Sequence, residues 1–260
     1  MSFLPKTYID PSVFSPENLL REGWRQRSIP DGNIPDVCLL DPDGDLVHHL
    51  LSQGKAVRNP YWACYHTVLY DIEVSGFSCG IVGCAVGASF AVLVAEELFA
   101  SGCKLIVSIT SAGQIEAIQN PPYFILIEKA LRDEGTSYHY LPDSEYSHID
   151  DALSKMLFDT LALNRVPVYR GATWTTDAPF RETASTIAQC RKMGILAVEM
   201  EAAALYAFAK AKNKPVICLA HVTNQMASFV GDFEKGEANG SQDALRLLAS
   251  IVTAWHKKFG

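Results

Sequence analysis

The chain has 260 residues, 48% of them apolar, enough for one sizeable α/β domain with a filled core. Its 22 Lys and Arg against 29 Asp and Glu give a net charge of −7 with no basic block, which excludes the electrostatic footprint of a nucleic-acid binder and favours a small-molecule partner. No apolar run approaches the length of a membrane span and no basic segment leading into an apolar run opens the chain, so no membrane partner and a cytoplasmic location are expected. Seven cysteines, odd in number and without a Cys-x-x-Cys pair, read as reduced residues set mostly in apolar runs, and no metal site is expected.

Residues 1–35, rich in Pro, Asp and Ser, read as an arm or cap with a short helical signal from Glu17 to Trp24, suited to packing on a partner subunit. Residues 36–260 read as one domain in which strands and helices alternate. Val37–Leu40 is a first buried strand, followed by the acidic turn Asp41-Pro42-Asp43-Gly44-Asp45 and a helix over Leu46–Ser52. Strand-like runs at Ala63–Val68, Ile72–Val74 and Ser78–Val82 are close enough to pair antiparallel. Next, the small residues of Gly83-Cys84-Ala85-Val86-Gly87 lead from a strand into a helix that runs to Leu98. Backbone amides can approach a ligand there, although a packing turn reads the same way.

Lys104–Ile109 is a strand ending in Thr110-Ser111-Ala112-Gly113, small residues at the place where open α/β sheets bind ligands. A strand over Tyr123–Glu128 leads into the polar and aromatic block Arg132–Tyr140, and a helix from Ile149 to Asn164 precedes a strand over Pro167–Thr176. From Glu199 onward the sequence reads as a helix apolar on nearly every face, with Glu199 and Glu201 in its first turn. Two carboxylates at a buried helix start call for a polar ligand, unless they only cap and solubilise that turn. Val216–Val222 is the last strand, ending at Thr223-Asn224-Gln225, and Ser241–Phe259 the last helix.

These blocks, in this order over about residues 36–257, resemble the purine nucleoside and uridine phosphorylase superfamily, which also contains the methylthioadenosine nucleosidases. Val198-Glu199-Met200-Glu201-Ala202-Ala203-Ala204 is the most specific of them, and Arg132–Tyr140 is closest to the uridine-phosphorylase-like branch. The resemblance implies an α/β fold with a single-domain mixed, partly closed central sheet flanked by helices. It also implies a homo-oligomer (dimer, trimer or hexamer) with sites near subunit contacts, and cleavage of a nucleoside N-glycosidic bond without a cofactor, with inorganic phosphate as co-substrate.

Carried over position by position, the resemblance makes Glu201 the acceptor for the ribose hydroxyls and packs Met200 on the sugar. Val198, Phe180 and Thr176 would line the base with the Thr110, Ser111, Ala112 and Gly113 backbone, and Glu199 would either bind substrate or serve helix geometry. Asn224 stands where purine-specific members place a protonating Asp, and Asn cannot donate a titratable proton, so a pyrimidine or a base needing only hydrogen bonds is favoured. Arg181 would meet a carbonyl of the base, or else pair with Glu182 or Asp177 at the surface.

The phosphate arginines of the family are missing: the first turn carries Asp41, Asp43 and Asp45, and Ser108 stands at the second arginine position. Val86, Gly87 and Arg58, with His48, His49 or Lys55, would then hold phosphate, Arg58 and Lys55 from a neighbouring subunit. Alternatively one of the three carboxylates orients water, giving a nucleosidase. A silent nucleoside-binding protein is the third reading, and His139 is more a structural than a catalytic candidate.

Overall fold

The computed structural model describes residues 6–30, 32–162, 166–226 and 230–260. In chain order the first half contains α1 (Pro16–Arg27), β1 (Val37–Asp41), α2 (Asp45–Ser52), β2 (Ala56–Arg58), β3 (Leu69–Val74), β4 (Phe77–Gly83), α3 (Ala88–Ala100) and β5 (Leu105–Gln114). The second half contains β6 (Tyr123–Asp133), β7 (Tyr146–His148), α4 (Asp151–Ala162), β8 (Val168–Thr176), α5 (Ala184–Lys192), β9 (Ile195–Glu199), α6 (Ala202–Lys212), β10 (Val216–Asn224) and α7 (Ser241–Phe259).

All the strands belong to one mixed sheet, and part of it closes on itself. β5 pairs with β10, β10 with β6, β6 with β8 and β8 with β9, and β9 returns to β5 through Val198 opposite Gly113 and Ala197 opposite Gln114. From the lower half of β5, β1, β4, β3 and β2 extend as an open arm. The partly closed sheet flanked by helices is therefore the one the resemblance implies. Closure matters for function because it brings the turn after β9 to Thr110 of β5, while the turn after β1, from the open arm, reaches Ser111 of the same strand.

The core follows from the apolar runs. β1 is buried along its whole length, and so is β10 from Val216 to Thr223, as strands covered on both faces should be. Each large aliphatic side chain so buried contributes about 1.5–3 kcal/mol. α7 starts at Ser241 and ends at Phe259, as its pattern predicts, with Asp243 in its first turn and His256, Lys257 and Lys258 in its last to complement its dipole. Ser15 caps α1 ahead of Pro16, and Leu20 of that helix is buried at 1% exposure.

Several expectations are corrected. Ala63–Val68 is a loop, because side chains satisfy its polar groups in place of a ladder: Trp62 Nε1 donates to Thr67 Oγ1 at 3.0 Å and Arg27 Nη1 to the Cys64 carbonyl at 2.7 Å. The three-residue β2 takes the sheet edge instead, and β5 runs on to Gln114, so that Thr110–Gly113 lies within a strand rather than after one. The helix expected from Glu199 begins at Ala202; Ile195–Glu199 is drawn into a strand by parallel pairing with β8. The α4 end expected at Asn164 lies outside the described residues. All seven cysteines are free thiols, six of them buried and Cys84 exposed.

Candidate active site

The strand-to-helix step from β9 to α6 is organised by two buried carboxylates with different duties. Glu199, 3% exposed, accepts from four donors: Thr173 Oγ1 at 3.0 Å, Thr175 Oγ1 at 2.5 Å, and the backbone N–H groups of Glu201 and Ala202, each at 2.7 Å. Thr173 and Thr175 are two apart on β8, so both hydroxyls face the same side, next to the paired end of β9. Glu199 thus holds the first amides of α6, the helix-geometry role the sequence left open.

Glu201, 1% exposed, looks the other way. Its Oε1 accepts the Gly87 N–H at 2.7 Å, ahead of α3, and its Oε2 the Thr110 hydroxyl at 2.8 Å, on β5. Two separate elements therefore fix one carboxylate, and it keeps acceptor capacity on both oxygens. Burial, then the Glu199 charge, push Glu201 up to about 7, and burial raises Glu199 as well against the pull of its four donors.

The acidic turn follows β1. Asp41, 5% exposed, accepts the Val47 N–H at 2.9 Å, and burial, reinforced by the charges of Asp43 and Asp45, pushes it up to about 7. Asp43 is exposed at the site mouth, and its Oδ2 accepts both the Ser111 N–H, at 3.0 Å, and the Ser111 hydroxyl. Asp45 is bound by Lys235 Nζ and by Asn239 Nδ2 at 3.2 Å. A cavity of about 20 Å³, lined by the three aspartates, Thr110, Ser111, His221, Asn239 and Ser241 among others, lies behind the turn.

The next residues of β5 and the end of β10 make the opposite wall. A Cβ on Gly113 would meet Met226 Sδ at 2.6 Å, Val198 Cγ1 at 3.3 Å and Asn224 Oδ1 at 3.4 Å, so the absence of a side chain lets these three groups converge. Asn224 Oδ1 also accepts the Met226 N–H at 2.9 Å. Ala112 is buried in β5, Met200 is half-buried between β9 and α6, and Thr176 is buried with its hydroxyl accepting the Ala178 N–H at 3.1 Å.

Gly87, Glu201, Thr110, Ser111 and Asp43 are thus brought into one chain of contacts, with Asp41 on the wall of the adjoining cavity and Gly113, Val198 and Asn224 alongside. Other candidates stand apart in the single chain. Phe180 is 100% exposed and lines no pocket wall among the described residues of the single chain; Arg181 is exposed and pairs with neither Glu182 nor Asp177. Arg58 is exposed on the edge strand β2, and Val86 is 51% exposed beside Gly87. Asp45 is drawn off by Lys235 and Asn239 and is not a free base. The Arg132–Tyr140 block is a knot of its own: Arg132, 4% exposed, donates to Ser137 Oγ, Pro142 O, Ser144 Oγ and Leu141 O, while the His139 ring hydrogen-bonds only to Lys6, at 2.8 Å, among the described residues.

Sequence reasoning missed Lys235, His221, Ser241 and the two β8 threonines. The threonines carried a signal in their alternate spacing ahead of a carboxylate-bearing strand, and His221 one in being the lone imidazole of an apolar strand. In the fold His221 pairs with Ser111 across β10 and β5 and stacks on Phe124 at 4.4 Å, and burial pushes it down to about 4.

Among the described residues no helix is long and apolar enough to cross a membrane, and no cluster of three or more His, Cys, Asp or Glu could hold a metal ion. The sequence profile of the phosphorylase superfamily matches residues 36–253. A DeoD-type purine nucleoside phosphorylase of Colwellia psychrerythraea is 26% identical over 207 residues, covering 74% of this chain and 88% of that one. The solved purine nucleoside phosphorylase of Toxoplasma gondii, a complex with immucillin-H, superposes with a TM-score of 0.74 at 13% identity, over 87% of this chain and 93% of that one. A uridine phosphorylase of Vibrio fischeri gives a TM-score of 0.67 at 21% identity, over 85% and 90% of the two chains. The likeness to the two solved structures shows the fold.

Proposed function

The chain belongs to the phosphorylase superfamily and is an enzyme of that family, and from this premise we propose that it cleaves the N-glycosidic bond of a nucleoside, passing the ribosyl group to phosphate. The observation that carries this reading is Glu201, buried, fixed by Gly87 and Thr110, and still able to accept two hydroxyls. Ribose hydroxyls donating to that carboxylate bring negative charge beneath a ring that becomes cationic as the base departs. Met200 would pack on the sugar, and Val198, Gly113 and Asn224 would meet the base, Asn224 by hydrogen bonding rather than proton transfer. The phosphorylase relatives support phosphate as co-substrate. The reaction so drawn needs no cofactor: a phosphate oxygen bonds to C1′ and the C–N electron pair leaves with the base.

A second reading, hydrolysis, has its own support in the Asp43 carboxylate seated on Ser111, which puts negative charge where phosphate would need donors. We further read the exposed Arg58 and Phe180 as groups that a second copy of the chain would bring over a neighbouring site, which makes a homo-oligomer part of the proposal. Sedimentation tests that part: a stable monomer with full activity would leave both residues without a role.

The experiment for the reaction is base release from a panel of purine and pyrimidine nucleosides with and without phosphate, with ribose and ribose 1-phosphate assayed separately. Phosphate-dependent ribose 1-phosphate is the expected result, free ribose would transfer the reading to hydrolysis, and no release from any nucleoside would sink both.

A further inference from the structure

Donors for an anion are gathered beside the ribose carboxylate, and the chain's own Asp43 is using the most direct of them. The Ser111 N–H and hydroxyl converge on Asp43 Oδ2, an arrangement of backbone and side-chain donors that suits any oxyanion. The cavity behind them is lined by two further polar groups, and the first has no hydrogen-bond partner among the described residues. One is the hydroxyl of Ser241, 2% exposed, at the first residue of the 19-residue helix α7. The other is the imidazole of His221, 7% exposed, which burial keeps neutral at pH 7 so that it offers an N–H rather than a charge. Its ring is fixed between Phe124 and Gly240, where a Cβ would come within 2.1 Å of Cε1.

Charge and volume then act in the same direction. The nearby cation, Lys235, is committed to Asp45. About 20 Å³ accommodates one water and not a tetrahedral oxyanion, and the exposed Asp43 side chain is among the groups that line this space.

We propose that Asp43 is an internal competitor of phosphate: seated on Ser111 it fills the anion cradle, and its displacement admits phosphate, so that this residue sets the balance between phosphate and water at the site. The choice between attackers rests on the ribose-site reading above; the competition for Ser111 does not. With Asp43 displaced, a phosphate oxygen bonds to C1′ as the C1′–N bond breaks, its electron pair goes to the base, and the base takes a proton from solvent. With Asp43 seated, a water oxygen makes the same bond, its proton passes to the carboxylate or to solvent, and the base is again protonated from solvent.

The test is calorimetric titration of inorganic phosphate into the wild-type chain, D43N and D43S at neutral pH, with thermal melting of each to verify folding. Both variants are expected to bind phosphate about tenfold tighter or more, because a like charge in contact with the anion is gone, and S111A added to D43S should remove the gain. In turnover the share of ribose 1-phosphate over ribose should rise. Folded variants that bind phosphate no tighter than the wild type would overturn the proposal. If the affinity gain appears but no variant releases base from any nucleoside, the ribose reading fails and the competition stands; base release with unchanged phosphate affinity is the converse.

Discussion

The turn from β9 to α6 and the turn from β1 to α2 both place carboxylates at the end of a buried strand just ahead of a helix, yet they hold them in opposite ways. In the first, Glu199 is saturated by four fixed donors and Glu201 is held by two from elsewhere in the chain, the Gly87 N–H ahead of α3 and the Thr110 hydroxyl on β5, both groups being almost wholly buried. In the second, Asp41 has one backbone donor, Asp43 is exposed on a single serine, and Asp45 is tied to a lysine from a later loop. A carboxylate whose acceptor sites are filled by the fold is scaffold; one that keeps free lone pairs or free charge remains available to a ligand.

The largest effect should come from removing the saturated member. Glu199→Ala strands two hydroxyls and two backbone amides in the core, a loss of about 3–5 kcal/mol, of the size seen when one partner of a buried charged network is deleted. Urea unfolding measures it. A loss under about 1 kcal/mol would mean that the hydrogen-bonded network is not what positions α6, and the contrast between the two turns would break at its stronger end.

Glu201→Gln should behave differently. The amide keeps the shape and one acceptor, and it removes the repulsion with Glu199, so stability should hold or rise slightly. Turnover should fall by about 10²–10³, the typical cost of losing one electrostatic contact to a developing charge. Measuring kcat/KM and unfolding on the same preparation separates the two carboxylates. If the variant unfolds as Glu199→Ala does and retains turnover, Glu201 is scaffold too.

The sequence carried the chemistry of both turns more plainly than their partnerships. The strand before the acidic turn, the bounds of α7 and the apolar α6 follow from periodicity and caps. The strand ending at Glu199 does not, because Glu-Met-Glu-Ala-Ala-Ala is rich in helix formers and only the pairing of β9 with β8 overrides that preference. Ala63–Val68 misled in the opposite direction: its strand-like composition is outweighed by the side-chain hydrogen bonds of Trp62 and Arg27. Within the site, Glu201, Thr110 and Gly87 were readable as residue types in a known order. No local signal, by contrast, could connect Asp45 with Lys235 or show which way Asp43 turns, since their partners come from elements far away in the chain.

The smallest expected effect tests how many charges the acidic turn carries. Asp41 is pushed from an ordinary 3.8 to about 7, chiefly by burial, so between these values the folded chain keeps a proton that the unfolded chain releases. The unfolded state then binds fewer protons, and the Asp41 contribution must make stability fall as pH rises through that window. Asp41→Asn keeps an acceptor for the Val47 N–H and removes the titration. Relative to this variant, the wild type should lose about 1–2 kcal/mol between about pH 5 and pH 7, read from urea unfolding at several pH values. A difference that stays flat would mean that Asp41 ionises like an exposed carboxylate and that the turn presents another full negative charge. A sloping difference has the opposite consequence: with Asp41 holding its proton into the neutral range and Asp45 neutralised by Lys235, the repulsion met by phosphate narrows to Asp43, the residue already seated on the serine that phosphate would need.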